Sequence, residues 1–104
     1  MAKQAAKAFE AIPDLIAFKF TSDGTEYTLQ HDILDVVGTT QLFYDQAERD
    51  HKDELPYVKS SARLDLLVDW VASKTGGRMS RSQAYQLEMT AAEYFEDWKK
   101  KRPK

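Results

Sequence analysis

The sequence predicts a small α+β fold, in which an N-terminal β-hairpin packs on about three α-helices within a single domain. Three observations lead there. An Asp-Gly pair, Asp23-Gly24, sits between two short alternating runs. From Asp32 onward the apolar spacing lengthens from every second residue to every third or fourth. Gly76-Gly77 then separates two later stretches of helical spacing.

The elements follow in order. Residues 1–13 are rich in Ala and Lys, and their larger apolar side chains are Met1, Phe9 and Ile12. An isolated helix this short is marginal in water, so a flexible or conditionally helical arm is expected, ended by Pro13. In the run Ile16-Ala17-Phe18-Lys19-Phe20-Thr21, every second residue is large and apolar. After Ser22-Asp23-Gly24-Thr25 comes Glu26-Tyr27-Thr28-Leu29. Asp-Gly suits a type I′ turn, which needs positive φ at both central residues. If Ser22 faces Thr25, Phe20 faces Tyr27 and Phe18 faces Leu29. Ile16, Phe18, Phe20, Tyr27 and Leu29 then share one face, while Lys19, Glu26 and Thr28 point away. A lone hairpin is unstable in water, so that face must be covered.

Ile33, Val36, Val37, Thr40, Phe43, Tyr44 and Ala47 follow helical spacing, with Asp32 as N-cap. Gly38 costs about 1 kcal/mol relative to Ala inside a helix, so a break or restart near Gly38-Thr39-Thr40 is expected. His51 to Ser60 reads as a polar connection containing Pro56. A second helix is expected from Ser60 or Ser61, burying Leu64, Leu67, Val68 and Val71, with Leu66 and Trp70 widening the stripe. Gly76-Gly77 ends it. Ser80 and Gln83 have capping-box spacing and open a third helix. Its buried face is Ala84, Leu87, Ala91, Phe95 and Trp98, flanked by Tyr85, Met89 and Tyr94. Glu96 and Lys100 stand in the favourable i,i+4 order. The domain is expected over residues 14–98, followed by a basic tail over 99–104.

Composition narrows the function. The 104 residues carry 15 Lys+Arg against 17 Asp+Glu, a formal charge of −2, which is not the balance of a general nucleic-acid binder. No run approaches the roughly 20 apolar residues of a membrane helix, and no secretory leader is expected. With no cysteine there is no disulfide framework or thiol nucleophile, and a cytoplasmic setting is expected. There are only two histidines, His31 and His51. Glu48 and His51 have Glu-x-x-His spacing, but a carboxylate-bridged metal site needs a second such motif and further glutamates. The bland reading is a solvated helix face. His31-Asp32 is better explained by helix capping than by acid/base chemistry. No nucleophile elbow or phosphate-binding loop is present. No catalytic residue, metal ligand or cofactor is expected, and the protein is expected not to be an enzyme.

Two sets of residues are candidates for binding. Lys74, Arg78 and Arg81 surround the start of the third helix, and Lys99, Lys100, Lys101 and Arg102 form the tail. They could meet an anion, a nucleic acid or an acidic partner, or simply cap and solvate helix ends. Residues 31–54 hold seven acidic residues against Arg49 and Lys52, so the chain is acidic in its middle and basic at its end. That polarity suits contacts between proteins. The second set is aromatic. Phe9, Tyr44, Tyr57, Tyr85 and Tyr94 lie off the clearest core stripes and are candidates for a partner surface.

Two resemblances bear on this. The hairpin Phe20-Thr21-Ser22-Asp23-Gly24-Thr25-Glu26-Tyr27-Thr28-Leu29 leads into Asp32-Ile33-Leu34-Asp35-Val36-Val37. Two further helices follow, the last introduced by Arg78-Met79-Ser80-Arg81-Ser82-Gln83-Ala84. This layout resembles small tail or virion-assembly proteins of bacteriophages and prophages, including tail-assembly-chaperone-like ones. The resemblance implies a non-enzymatic protein that binds virion components or itself. Leu64-Asp65-Leu66-Leu67, Lys74-Thr75-Gly76 and Ser80-Arg81-Ser82-Gln83 resemble the helices of ribbon-helix-helix DNA-binding proteins. That resemblance implies a small regulator whose reading strand would be Tyr57-Val58-Lys59-Ser60, with Lys59, Lys74, Arg78, Arg81 and the tail on DNA. A protein-interaction module is the expectation, with the regulator as its alternative.

Overall fold

A computed structural model describes residues 14–101 of the chain. Within them the order is β1 (Leu15–Ser22), β2 (Thr25–Asp32), α1 (Ile33–Asp50), α2 (Pro56–Thr75) and α3 (Arg81–Lys101). This is the α+β hairpin-and-three-helix arrangement that the periodicities predict. The arm over residues 1–13, with Phe9, and the last three residues, with Arg102, lie outside the described residues.

β1 and β2 form a two-stranded antiparallel sheet in the expected register, Ser22 opposite Thr25, Phe20 opposite Tyr27 and Phe18 opposite Leu29. Asp23 and Gly24 have φ of 52° and 79°, the two positive values that a type I′ turn needs. The pairing continues past Leu29 to Asp32. Asp32 then changes role. Its backbone is extended, and its carboxylate accepts the Asp35 N–H at 3.2 Å, which caps α1. One residue thus ends the sheet and starts the helix.

Two boundaries differ from expectation. α1 runs unbroken through Gly38. Ile33 and Val36 are buried before the glycine and Ala47 after it, so tertiary packing offsets the local propensity cost. α2 begins at Pro56, four residues before Ser60. Pro56 occupies the first turn, where a missing N–H costs nothing and the fixed φ suits the helix. Tyr57-Val58-Lys59-Ser60 is therefore helical, and the connection shortens to His51–Leu55. At the other end Gly76 adopts φ 86° and its N–H donates to the Ala72 carbonyl at 2.8 Å, stopping α2 as expected.

The capping box forms in both directions. The Gln83 N–H donates to Ser80 Oγ at 3.1 Å, and the Ser80 N–H donates to Gln83 Oε1 at 2.8 Å. α3 then continues through Lys99–Lys101, so the start of the basic tail is helix. In that last turn Glu96 pairs with Lys99 at 3.3 Å rather than with Lys100, and Asp97 pairs with Lys101 at 3.1 Å.

The core has two centres. Phe20, Leu29, Leu67, Val68, Val71, Met79, Ala84 and Leu87 form the larger. Ile16, Ile33, Val36 and Ala91 form the smaller. Trp70 packs against both. Lys19, Glu26 and Thr28 are exposed, as alternation requires. No helix among the described residues is long and apolar enough to cross a membrane.

Candidate functional site

Two regions gather several of the residues singled out from sequence. The first is the turn between α2 and α3. Arg81 makes a two-pronged bond to Asp65 of α2, Nε to Oδ1 at 2.8 Å and a terminal nitrogen to Oδ2 at 2.9 Å. Arg78 pairs with Asp69 at 3.0 Å, one helical turn further along α2. Hydrogen bonding from Arg81 holds the Asp65 carboxyl below its ordinary value against the effect of burial, with the charges of Arg81 and Arg78 adding to it. Lys74 lies over the Trp70 ring, 5.7 Å from its centroid. Both arginines thus tie α3's start to α2. They are exposed, so each pair contributes little to stability.

Lys59, also expected to contact DNA, donates to Glu48 Oε1 at 3.1 Å and ties α2 to α1. Lys99 pairs with Glu96 and also lies 5.0 Å from the Phe95 ring centroid. Lys101 pairs with Asp97, so Lys59, Lys74, Arg78, Arg81, Lys99 and Lys101 each have a carboxylate or aromatic partner, while Lys100 is exposed and pairs with none of the described residues.

The second region lies where all three helices meet. Arg63 of α2 donates from Nε and a terminal nitrogen to the two carboxylate oxygens of Glu88 on α3, each at 2.9 Å. The pair is shielded, with 17% and 16% of the two side chains exposed. A third guanidinium nitrogen donates to Ser60 Oγ at 3.1 Å. Tyr44 of α1 lies against the guanidinium, whose carbon is 5.8 Å from the ring centroid. Hydrogen bonding to Glu88 holds the Arg63 pKa above its ordinary value. Burial opposes this, while the Glu88 charge, Tyr44 and Tyr85 support it. Arg63 is always charged, so the consequence is positional: a planar cation fixed by fork geometry.

Thr40, Gln41, Tyr44, Arg63 and Glu88 line a depression of about 190 Å³. Ligand and cofactor sites usually run from about 300 to 1,000 Å³. This one has room for a single side chain. Tyr44 and Tyr85 flank the ion pair and are about half exposed. Met89, one turn beyond Tyr85 on the same face of α3, is also exposed.

The structure thus unites Tyr44 with Tyr85 and separates them from the other aromatics. Tyr94 is nine residues from Tyr85, which places it on the opposite side of α3. Tyr57 is exposed in the first turn of α2, about 120° around the helix from Arg63. Arg63 and Glu88 did not stand out in the sequence, and Met89 stood out only as a flank of the buried face of α3. Arg63 and Glu88 are 25 residues apart, and only the fold brings them together.

Glu48 and His51 do not converge: Glu48 holds Lys59, and His51 Nδ1 meets Glu54 at 2.9 Å. His31 Nε2 meets Asp35 at 2.5 Å across the junction of β2 and α1. Among the described residues, no three His, Asp or Glu side chains gather as a metal-binding group would.

Comparison with protein-family models, with curated proteins and with solved structures finds no match to this chain.

Proposed function

We propose that the protein is a non-enzymatic docking module that binds another protein across the junction of its three helices. The observation that carries this is the side-chain-sized depression lined by Thr40, Gln41, Tyr44, Arg63 and Glu88, with Tyr85 beside Arg63 and Met89 exposed one helical turn from Tyr85. Tyr, Arg and Met are the residue types enriched at protein interfaces, and Glu and Lys are depleted there. Energetic anchors in such surfaces are a few aromatic and arginine side chains around a pocket. Arg63 is already held by Glu88 and Ser60, so little side-chain entropy is lost when a partner covers it. A partner would insert one side chain beside Thr40 and Gln41 and press a flat surface on the two tyrosines. The resemblance of the layout to tail and virion-assembly proteins makes a virion component the partner to try first.

A DNA-binding role is less well supported. The segment that would be its reading strand is the first turn of α2, and Lys59, Arg78 and Arg81 each hold a carboxylate.

The test is calorimetric titration with proteins encoded beside the gene. Binding is expected for one of them, and Tyr85→Ala with Met89→Ala should weaken it by at least about tenfold, the loss of one anchor. Thermal stability should hardly change, because both side chains are exposed. Binding indifferent to this double change overturns the proposed surface. Duplex DNA binding at low salt, declining linearly with log salt, overturns the function itself.

A further inference from the structure

We propose that two copies of the chain pair through the outer edge of β2, joining their hairpins into one four-stranded antiparallel sheet. The inference uses the hairpin and none of the residues of the helical docking surface.

It starts from the ladder. A two-residue turn makes Ser22 and Thr25 the first hydrogen-bonded pair, and such pairs then alternate along the strands. The backbone groups of Ala17, Lys19 and Thr21 therefore point out of β1, and those of Glu26, Thr28 and Gln30 point out of β2. Two bonds agree with this phase. Gln83 Nε2 donates to the outward Thr21 carbonyl at 3.2 Å. At the open end the Ile33 N–H donates to the Asp14 carbonyl at 2.8 Å, in step with the inward pairs. Among the described residues, nothing else bonds the outward N–H or C=O groups of Glu26, Thr28 and Gln30.

Open edges of this length are templates for strand addition, and proteins guard them with lysine, proline, bulges or cover. β1 is guarded: Lys19 sits at its centre, and Gln83 occupies the end near the turn. β2 has no lysine, no proline and unbroken pairing from Thr25 to Asp32, and the charge among its outward residues Glu26, Thr28 and Gln30 is Glu26, toward the turn end.

Side-chain compatibility points to a second copy as the occupant. A two-fold axis through Thr28 places Glu26 opposite Gln30 of the second copy, and Thr28 opposite Thr28. The carboxylate faces an amide, hydroxyl faces hydroxyl, and about six backbone bonds form. The equivalent pairing of β1 would set Lys19 against Lys19, a like-charge contact that destabilises. The same patch on both copies makes a closed two-fold dimer and not a fibre.

The experiment is sedimentation equilibrium of the full chain from micromolar to millimolar concentration, with amide hydrogen exchange. A monomer–dimer equilibrium is expected, with Glu26, Thr28 and Gln30 amides protected as concentration rises while Ala17 and Lys19 are not. Thr28→Lys puts two lysines across the axis and should raise the dimer dissociation constant by at least about tenfold. Thr28→Pro removes the outward N–H and should do the same, since Pro is tolerated where an edge N–H faces outward. Lys19→Thr should leave the dimer unchanged. Circular dichroism checks that each variant is folded. A chain that stays monomeric throughout, a dimer insensitive to both changes at Thr28, or open-ended polymers would each overturn the proposal.

Discussion

At the scale of single residues, the tightest constraint sits at Gly77. A Cβ built there would fall inside van der Waals contact with three ring carbons of Tyr27. The backbone after α2 thus runs flat against the hairpin, and Met79, two residues on, reaches the larger core centre. Sequence pointed to Gly76-Gly77 as a helix stop, and Gly76 with φ 86° performs that role. The second glycine has a different cause, close approach, which was not visible without knowing that Tyr27 lies opposite. Gly77→Ala should destabilise the fold by about 1–3 kcal/mol, the usual cost of forcing atoms into a filled site. Urea unfolding would measure it. Tyr27→Leu should shrink that penalty in a double-mutant cycle, because it removes the ring that the new methyl meets. A penalty unchanged in the Tyr27→Leu background would mean that Gly77 is required for its backbone and not for space.

At the scale of elements, the hairpin was the most legible part, because turn chemistry and side-chain alternation are both local. Asp23-Gly24 set the turn, and the turn set the register of every pair down to Asp32. The capping box at Ser80 was legible for the same reason, since both its bonds span three residues. Helix boundaries that rest on tertiary packing were not. Pro56 looks like an interruption in a polar segment, yet at the first turn of α2 it is a start signal. Gly38 looks like a break, yet Ile33, Val36 and Ala47 are buried on either side of it. This makes a prediction at the same scale. Gly38 lies in α1 with no atom within 4 Å of an added Cβ and without positive φ. Gly38→Ala should therefore stabilise the protein, by up to about 1 kcal/mol, through helix propensity and a less flexible unfolded chain. Thermal unfolding would show a raised midpoint. A lowered midpoint would mean that α1 needs the flexibility of a glycine.

At the scale of the whole molecule, charge explains why the proposed binding surface was only partly legible. The net of −2 hides an acidic middle and a basic end, and within the fold many of those charges find each other. Asp65 with Arg81, Glu48 with Lys59 and Glu88 with Arg63 each link one helix to another, and Asp69 with Arg78 links α2 to the turn before α3. Sequence showed the cations but not their partners, since each pair closes a loop through space. Tyr44 and Tyr85 were visible as aromatics off the core stripes, and only the packing of α1 and α3 on α2 brought them to one place. The apolar counterpart of these links is Trp70, the residue that packs against both core centres. Its ring also meets His31 at a right angle, centroids 5.2 Å apart, and the Lys74 ammonium at 5.7 Å. The smaller centre has four buried residues against eight, so it is expected to unfold together with the larger one only through this link. In the native chain, fluorescence and far-ultraviolet circular dichroism should give coincident denaturation curves, as one cooperative unit requires. Trp70→Ala should cost about 3 kcal/mol, the lower end for a large aromatic, because the side chain is half-buried. It also leaves Trp98, which packs on the smaller centre, as the sole tryptophan. The Trp98 signal should then change at lower denaturant than the helical signal, and Trp70→Phe should bring the two curves back together. If both signals in Trp70→Ala shift equally and stay superimposed, the two centres are joined by other contacts and Trp70 adds stability without coupling them.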